Sequence, residues 1–242
     1  MNEPFRKSSR EETVLDKDGN PITIFSASRF SSCSWNHYSD LIPEKKLPVS
    51  LELGEIFDLG NETHLDDNYL KIGSRDILEM EEYFRVIHES ETWGVAGLLD
   101  YDRYNFDGKY IQDNKSTKFG GFFFFLKEGI KMEDKRQMSI YAYMKYVHTG
   151  TKRRRGVIRK IDKEEPLNIL QLVTPLFTIE EVRKFLVEHP VVLTKLGYMT
   201  EEKLIEFCVQ QMSPEVRKST GEHWRCMNCQ YANGGCPVRQ AL

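Results

Sequence analysis

Gly97-Leu98-Leu99-Asp100 and Tyr110-Ile111-Gln112-Asp113-Asn114-Lys115 are the stretches on which the reading of this chain turns. Each is a short apolar, strand-like run that leads into an acid. If the two runs pair as strands, Asp100 and Asp113 converge. Lys115 then shares a face with Asp113, because strand side chains alternate. Two converging carboxylates are hard oxygen donors suited to Mg²⁺ or Mn²⁺. A neighbouring ammonium stabilises charge developing on a phosphate or orients an attacking water. Together such groups suffice for metal-assisted hydrolysis of a phosphodiester. An isolated D-x-K is common on surface hairpins, so these stretches alone do not separate a catalytic site from a solvated turn.

The surrounding sequence supplies a frame. Tyr83 to Ile87, Trp93 to Tyr101 and Lys109 to Asp113 read as short strands separated by polar turns. Gly121 to Leu126, with phenylalanine at 122 to 125, suits either a buried strand or the start of a helix. Gln137 to Val147 is helix-like and Val157 to Ile161 is strand-like. Upstream, a turn is expected at Asp18-Gly19-Asn20-Pro21, then a short helix within Ser26 to Tyr38, capped by Ser26 or Ser28 and carrying Cys33. Leu47 to Leu70 holds helix-spaced apolar residues. After Pro166 helices dominate: Thr178 to Glu188, where Thr178 and Glu181 form a capping box, and Thr200 to Gln211. This order predicts an α/β core.

Composition sets outer limits. With 40% hydrophobic, 29% charged and 12% aromatic residues, the 242-residue chain has the make-up of a globular protein with a real core. No run approaches the roughly 18 apolar residues of a membrane-spanning helix. Residues 1–18 lack the apolar segment of a secretory signal, so a cytoplasmic setting and no membrane partner are expected. Net charge is only −3, so any attraction to nucleic acid must be local. Lys152, Arg153, Arg154 and Arg155, followed by Arg159 and Lys160, form a basic run able to neutralise several phosphates. The same run also suits a solvated loop. Tyr143 and Tyr146 lie near it and can stack on bases or fill a core. No G-x-x-x-x-G-K-[ST] is present, so any DNA unwinding must come from a partner.

Five cysteines in a reducing compartment argue against a disulfide framework. Cys226, Cys229 and Cys236 follow a C-x-x-C-x6-C pattern, and close pairs of this kind usually share one metal or cluster. Cys208 lies in the apolar pattern Leu204, Ile205, Phe207 and reads as a small buried hydrophobe. That leaves Cys33 as the candidate fourth thiolate. Four thiolates hold zinc or an iron–sulfur cluster, and spacing does not separate the two.

Two further motifs complete an ordered set: Gly60-Asn61-Glu62-Thr63-His64 upstream and Gln137-Met138-Ser139-Ile140-Tyr141 downstream. Together with Asp100 and Asp113-Asn114-Lys115 they resemble the motifs of RecB-like PD-(D/E)XK nucleases. One cysteine before these motifs and three after, the last followed by Pro237, resembles the iron–sulfur members of that family. Those members include the CRISPR-associated Cas-four exonucleases, the AddB nuclease domain and eukaryotic exonuclease five. The resemblance spans about residues 26–238.

It implies a restriction-endonuclease-like mixed β-sheet core flanked by helices, with a cysteine-rich iron–sulfur lobe joined to the amino-terminal segment. Residues 1–25 would be a polar lead-in and 26–200 the nuclease core, made of segments 26–75, 76–165 and 166–200. Residues 201–242 would form the terminal helix and cluster lobe, packed with the Cys33 segment. The implied metal ligands are His64, Asp100, Asp113 and the Asn114 carbonyl, with Lys115, Gln137 and Tyr141 completing the catalytic set. Asp58, in Gly54-Glu55-Ile56-Phe57-Asp58, competes with His64 for the upstream position, and Glu82 is a further acid at a strand start. A 4Fe–4S cluster on Cys33, Cys226, Cys229 and Cys236 is implied.

The implied activity is Mg²⁺- or Mn²⁺-dependent exonucleolysis of single-stranded DNA or DNA ends, 5′ to 3′. Lys152, Arg153, Arg154 and Arg155 would track the DNA. The expected setting is CRISPR adaptation and antiviral defence, with integrase proteins as partners, or phage recombination, with a recombinase. The rival readings are a non-catalytic, metal-stapled DNA-binding or assembly module and a zinc-ribbon regulator. The shortened reach of Asp113, where many relatives carry glutamate, is the main departure from the motif.

Overall fold

The computed structural model describes residues 13–45, 82–99, 101–105, 108–117, 119–162, 169–211 and 236–241. It divides into two compact units: Met1–Ser31 with Glu62–Val182, and Ser32–Asn61 with Arg183–Leu242. The division falls at Val182, so residues 183–200 group with the carboxy-terminal part rather than with the sheets.

The first unit is a mixed α/β structure with two small mixed sheets. It opens on a turn in which Asp16 Oδ1 accepts from the backbone N–H groups of Asp18 (2.9 Å) and Asn20 (2.8 Å). Gly19 supplies the positive φ that this tight reversal requires. Strand β1 (Thr23–Ser26) follows, then a 3-10 turn (Ala27–Ser31). Next come β2 (Glu82–Ile87) and β3 (Trp93–Leu99). In the first sheet β3 is central, parallel to β1 and antiparallel to β2.

The second sheet runs β4 (Tyr101–Asn105), β5 (Gly108–Thr117), β6 (Arg155–Asp162), β7 (Ile169–Pro175). Its outer pairs are antiparallel and the central β5–β6 pair is parallel. Between β5 and β6 the chain forms α1 (Phe119–Glu128) and α2 (Met132–Thr149), the crossover that a parallel pair demands. The phenylalanine run therefore resolves as helix. The α2 helix packs on the 3-10 turn, β2, β5 and β6 and is buried almost all round: Met138, Ile140, Tyr141, Ala142 and Met144 are each nearly inaccessible. It ends at Gly150, whose left-handed φ of 67° suits a helix stop.

Three elements differ from the sequence reading. The strands carrying the two motif stretches do not pair: β3 and β5 lie in different sheets, and β5's hairpin partner is β4. Strand β7 occupies a region read as helical. Ile169-Leu170-Gln171-Leu172-Val173 suits either period, and the edge of β6 supplies the ladder that makes it a strand. The expected Ser-capped helix around Cys33 is instead β1 and a 3-10 turn, with a helix beginning only at Ser34.

The second unit is helical. It contains α3 (Ser34–Asp40), a 3-10 turn (Pro43–Lys45), most of α4 (Ile179–Val187), α5 (Pro190–Lys195), α6 (Glu201–Gln211) and α7 (Pro237–Gln240). The predicted capping box is formed: Thr178 N–H donates to Glu181 Oε2 (2.8 Å) and Glu181 N–H to Thr178 Oγ1 (3.2 Å). Helix α6 packs against α3, α5 and α7. Its first residue, Glu201, accepts from the Tyr38 hydroxyl (2.8 Å) and from the Lys45 ammonium. Burial, then the hydrogen bond and charge of Glu201, push the Tyr38 phenol up to about 12.

Candidate active site

Strand β5 is central in its sheet, and Ile111, Gln112, Asp113 and Asn114 are all buried. A strand covered on both faces is ordinarily apolar, because each buried polar group needs a partner to offset its desolvation. Three polar residues in succession therefore mark a built site. Alternation sends them to opposite faces. On one face Gln112 Nε2 donates to Asn114 Oδ1 (2.9 Å). On the other, Asp113 meets Lys115 and helix α2.

That second face holds a closed network. Lys115 Nζ lies 2.9 Å from Asp113 Oδ2 and donates to Gln137 Oε1 at 3.0 Å. Gln137 Nε2 in turn lies 3.3 Å from Asp113 Oδ1 and 3.2 Å from the Tyr141 hydroxyl. The four-residue spacing of Gln137 and Tyr141 puts both on one helical face, turned toward the strand. The carboxamide thus reads a carboxylate with its nitrogen and an ammonium with its oxygen, which fixes its orientation. Asp113 is 3% exposed, and the one partner beside its Oδ2 among the described contacts is the Lys115 ammonium. Its charge is balanced by the ammonium alongside. A buried anionic oxygen with unused acceptor capacity is what a hard divalent cation requires.

Lys115 is pulled two ways. Burial lowers its pKa, but the carboxylates of Asp113 and Asp134 outweigh that penalty and the net shift is upward. The side chain is thus a fixed cation at neutral pH, suited to stabilising negative charge rather than to taking up a proton.

Tyr141 has a second contact. A Cβ added at Gly97 would lie 2.7 Å from Tyr141 Cε1 and 2.9 Å from the Ala27 Cβ. Gly97, the glycine of the Gly97-Leu98-Leu99-Asp100 stretch, is therefore the seat on which the tyrosine of the helical motif rests. Packing and positioning are the same contact here.

The remaining site residues divide. His64, Asp58 and Asp100 lie outside the described residues, as do Cys226 and Cys229. Strand β4 begins at Tyr101, directly after Asp100, and Tyr101 stands opposite Gln112, directly before Asp113. In the basic run, Lys152, Arg154 and Arg155 are exposed, with Lys152 Nζ 5.8 Å from the Tyr146 ring centroid. Arg153 is buried, and its guanidinium donates to Thr149 Oγ1 (2.9 Å) and to the Thr151 carbonyl. It braces the loop after α2. Two residues outside the motif set also reach this face: Lys160 of β6 and Asp134 of α2, whose charged atoms are 3.7 Å apart.

Among the described residues, no three His, Cys, Asp or Glu side chains are grouped closely enough to hold a metal ion. Three cysteines nevertheless share the second unit. Cys33 and Cys236 occupy the N-cap positions of α3 and α7, and Cys208 lies on α6, which packs against both helices. The Cys33 and Cys208 thiols lie close enough to influence each other's ionisation. The Cys208 thiol beside it and the backbone N–H groups of Asn36 and Trp35 lower the Cys33 pKa against the opposing effect of burial. Amide groups at a helix start favour a thiolate, the form that binds iron or zinc. Cys208 is buried, as the apolar pattern around it suggested, but it is a thiol partner as well as a hydrophobe.

Among solved structures, the crystal structure of SSO0001 is similar at a TM-score of 0.52 and 15% identity, over 91% of this chain and 89% of that one. The alkaline exonuclease LHK-Exo of Laribacter hongkongensis gives a TM-score of 0.47 at 13% identity, over 78% of this chain and 94% of its own. LHK-Exo in complex with dAMP gives 0.48 at 15%, over 78% and 93%. The likeness to SSO0001 is one of fold, and the two looser ones carry no inference. No protein-family model and no curated protein sequence matches the chain. No helix among the described residues is long and apolar enough to cross a membrane.

Proposed function

We propose that this chain is a divalent-metal-dependent nuclease that hydrolyses phosphodiester bonds in single-stranded DNA or at DNA ends. The observation that carries the reading is the network in which buried Asp113, Gln137 and Tyr141 hold the partly exposed Lys115. An acid and an ammonium on one face of a strand, with an orienting carboxamide from the helix that packs on it, are the protein's share of metal-assisted phosphoryl chemistry. Mg²⁺ or Mn²⁺ held by Asp113, and in the motif reading by Asp100, His64 and the Asn114 carbonyl, would supply Lewis acidity and a water of lowered pKa.

The chain's own residues do the rest. Lys115 places its charge beside the phosphate oxygen that gains negative charge. Gln137 holds the ammonium and the carboxylate in fixed relation, and Tyr141 holds Gln137. Lys152, Arg154 and Arg155 carry the flanking DNA. The 4Fe–4S cluster is assigned to Cys33, Cys226, Cys229 and Cys236, where it would tie the amino-terminal segment to the carboxy-terminal one. Polarity 5′ to 3′ and a role in CRISPR adaptation, or in phage recombination, follow from the motif resemblance.

The test is a cleavage assay on anaerobically purified protein with linear and circular single-stranded DNA, in Mg²⁺, Mn²⁺ or EDTA. Linear DNA should be degraded only with the divalent ions, and circles should survive if cleavage starts from an end. Absence of cleavage of any DNA in Mn²⁺ by iron-loaded protein would sink the reading. The network would then be a structural ion cluster in a DNA-binding or assembly module.

A further inference from the structure

Lys160, like Asp134, reaches this face from outside the motif set. On β6 its Cα is the in-register partner of Lys115 on β5, and parallel in-register neighbours project to the same face. Its Nζ lies 3.7 Å from Asp134 Oδ2 in the first turn of α2 and 5.2 Å from the Phe125 ring centroid. Its side chain is only 17% exposed. On the same face of β6, Ile158 two residues before it is a buried hydrophobe and Asp162 two residues after it is buried as well. A lysine in that row must be desolvated and must tolerate a second ammonium one strand away. Both effects lower its pKa, burial foremost, while Asp134 raises it.

Asp134 is a loose counter-ion. At 3.7 Å the pair is longer than a charge-assisted hydrogen bond of about 2.8 Å. The charged neighbours of Lys160 are thus the acids Asp134 and Asp113 and the ammonium groups of Lys115 and Lys131, and Asp162 follows two residues on along β6. Strands in a sheet lie about 4.8 Å apart, and flexible lysine stems widen or narrow that spacing. The Lys115 and Lys160 ammonium groups can therefore reach successive phosphates of one DNA strand.

We propose that Lys160 is a second phosphate-binding residue of this site. It takes the DNA phosphate next to the one served by Lys115, and Asp134 holds it in place until DNA displaces the ion pair. This rests on the nuclease reading above, and the experiment keeps the two apart.

Binding of a fluorescein-labelled oligothymidylate is measured by anisotropy across a salt series, with Ca²⁺ replacing Mg²⁺ so that the DNA stays intact. The parent protein is measured first. Cleavage in Mn²⁺ is followed in parallel. Lys160→Gln should bind about tenfold more weakly and flatten the salt dependence by about 0.7 of a log unit per log unit of salt, the loss of one contact to a single strand. Its KM should rise by more than its kcat falls, and Lys160→Arg should restore the slope. Asp134→Asn, which keeps the lysine, should bind DNA at least as tightly as the parent with an unchanged slope. An unchanged slope in folded Lys160→Gln, or weaker binding by Asp134→Asn, would overturn the assignment. A parent that binds DNA with these slopes yet cuts nothing would defeat the nuclease reading and leave the Lys160 assignment standing. A parent that binds no DNA defeats both.

Discussion

The carboxylate–lysine face of the first unit and the cysteine group of the second are built on different principles. In the first, every described member sits inside regular secondary structure: Asp113 and Lys115 two apart on a strand, Gln137 and Tyr141 four apart on a helix. Strand alternation and helical pitch fix which side chains face together, and one helix-on-strand contact completes the network. In the second, Cys33 and Cys236 stand at helix starts and Cys208 on a helix face, far apart in sequence. No local rule unites them. The first kind of site rests on local geometry and one packing contact; the second depends on everything that brings its segments together.

The largest effect should come from Asp113→Asn. The substitution keeps the shape and removes the charge, so it should lower Mn²⁺-dependent cleavage by about 10³-fold or more, since such residues act as a unit. Circular dichroism should be unchanged. Near-parent cleavage would mean that the carboxylate only neutralises Lys115.

The cysteine group should break differently. Cys33→Ala should bleach the brown colour of a 4Fe–4S protein and lower the melting temperature by about 5 °C or more, on the order of 2 kcal/mol for a chain of this size. Cys208→Ala should keep its colour and its iron content, although it removes a thiol neighbour of Cys33. Stoichiometric zinc without iron in anaerobic protein would replace the cluster by a zinc site. Colour lost with Cys208 rather than Cys33 would reassign the ligand.

Gly97→Ala probes how tightly the first site is packed. The new methyl would press on the Tyr141 ring and on Ala27, costing about 1–3 kcal/mol as overpacking does. Cleavage should fall with it, because Tyr141 carries Gln137. Chemical denaturation alongside the cleavage assay separates the two losses. An alanine variant of parental stability would mean that the β3–α2 contact is slack.

The basic run offers a contrast between neighbours. Arg153→Ala should lower stability by about 1–3 kcal/mol, since it empties a buried position and strips partners from Thr149 and Thr151. Arg154→Ala should leave stability alone and weaken DNA binding with a shallower salt slope. Exchange of these two outcomes would refute the division of the run into brace and DNA contact.

The smallest effect concerns Glu201. Its pKa is lowered, first by the Lys45 hydrogen bond and further by Tyr38, against the opposing effect of burial. A depressed carboxylate stabilises the fold above its unfolded pKa, and that contribution is lost as pH falls through the lowered folded value. Glu201→Gln should remove about 0.5 kcal/mol at neutral pH and nothing in strong acid, the scale of half-exposed pairs. Equal losses at both pH values would assign the effect to packing.

Much of the first unit was legible in the residues. The alternation of Asp113 and Lys115, the helical spacing of Gln137 and Tyr141 and the capping box of Thr178 and Glu181 are consequences of local geometry. Periods of 2 and 3.6 residues constrain which side chains share a face whatever the rest of the chain does. Strand pairing was not legible. That β5 pairs with β4 and β6 instead of β3, and that 169–175 is a strand, depends on which edges are available, a non-local choice. The same holds for Lys160, which the sequence places in a basic run and the parallel β5–β6 register places beside Lys115. Arg153 and Arg154 are indistinguishable as residue types, and only the loop's path buries one and exposes the other. Local spacing determined the chemistry that each element could offer. Tertiary structure decided which elements met, because the burial that drives them together is indifferent to sequence distance.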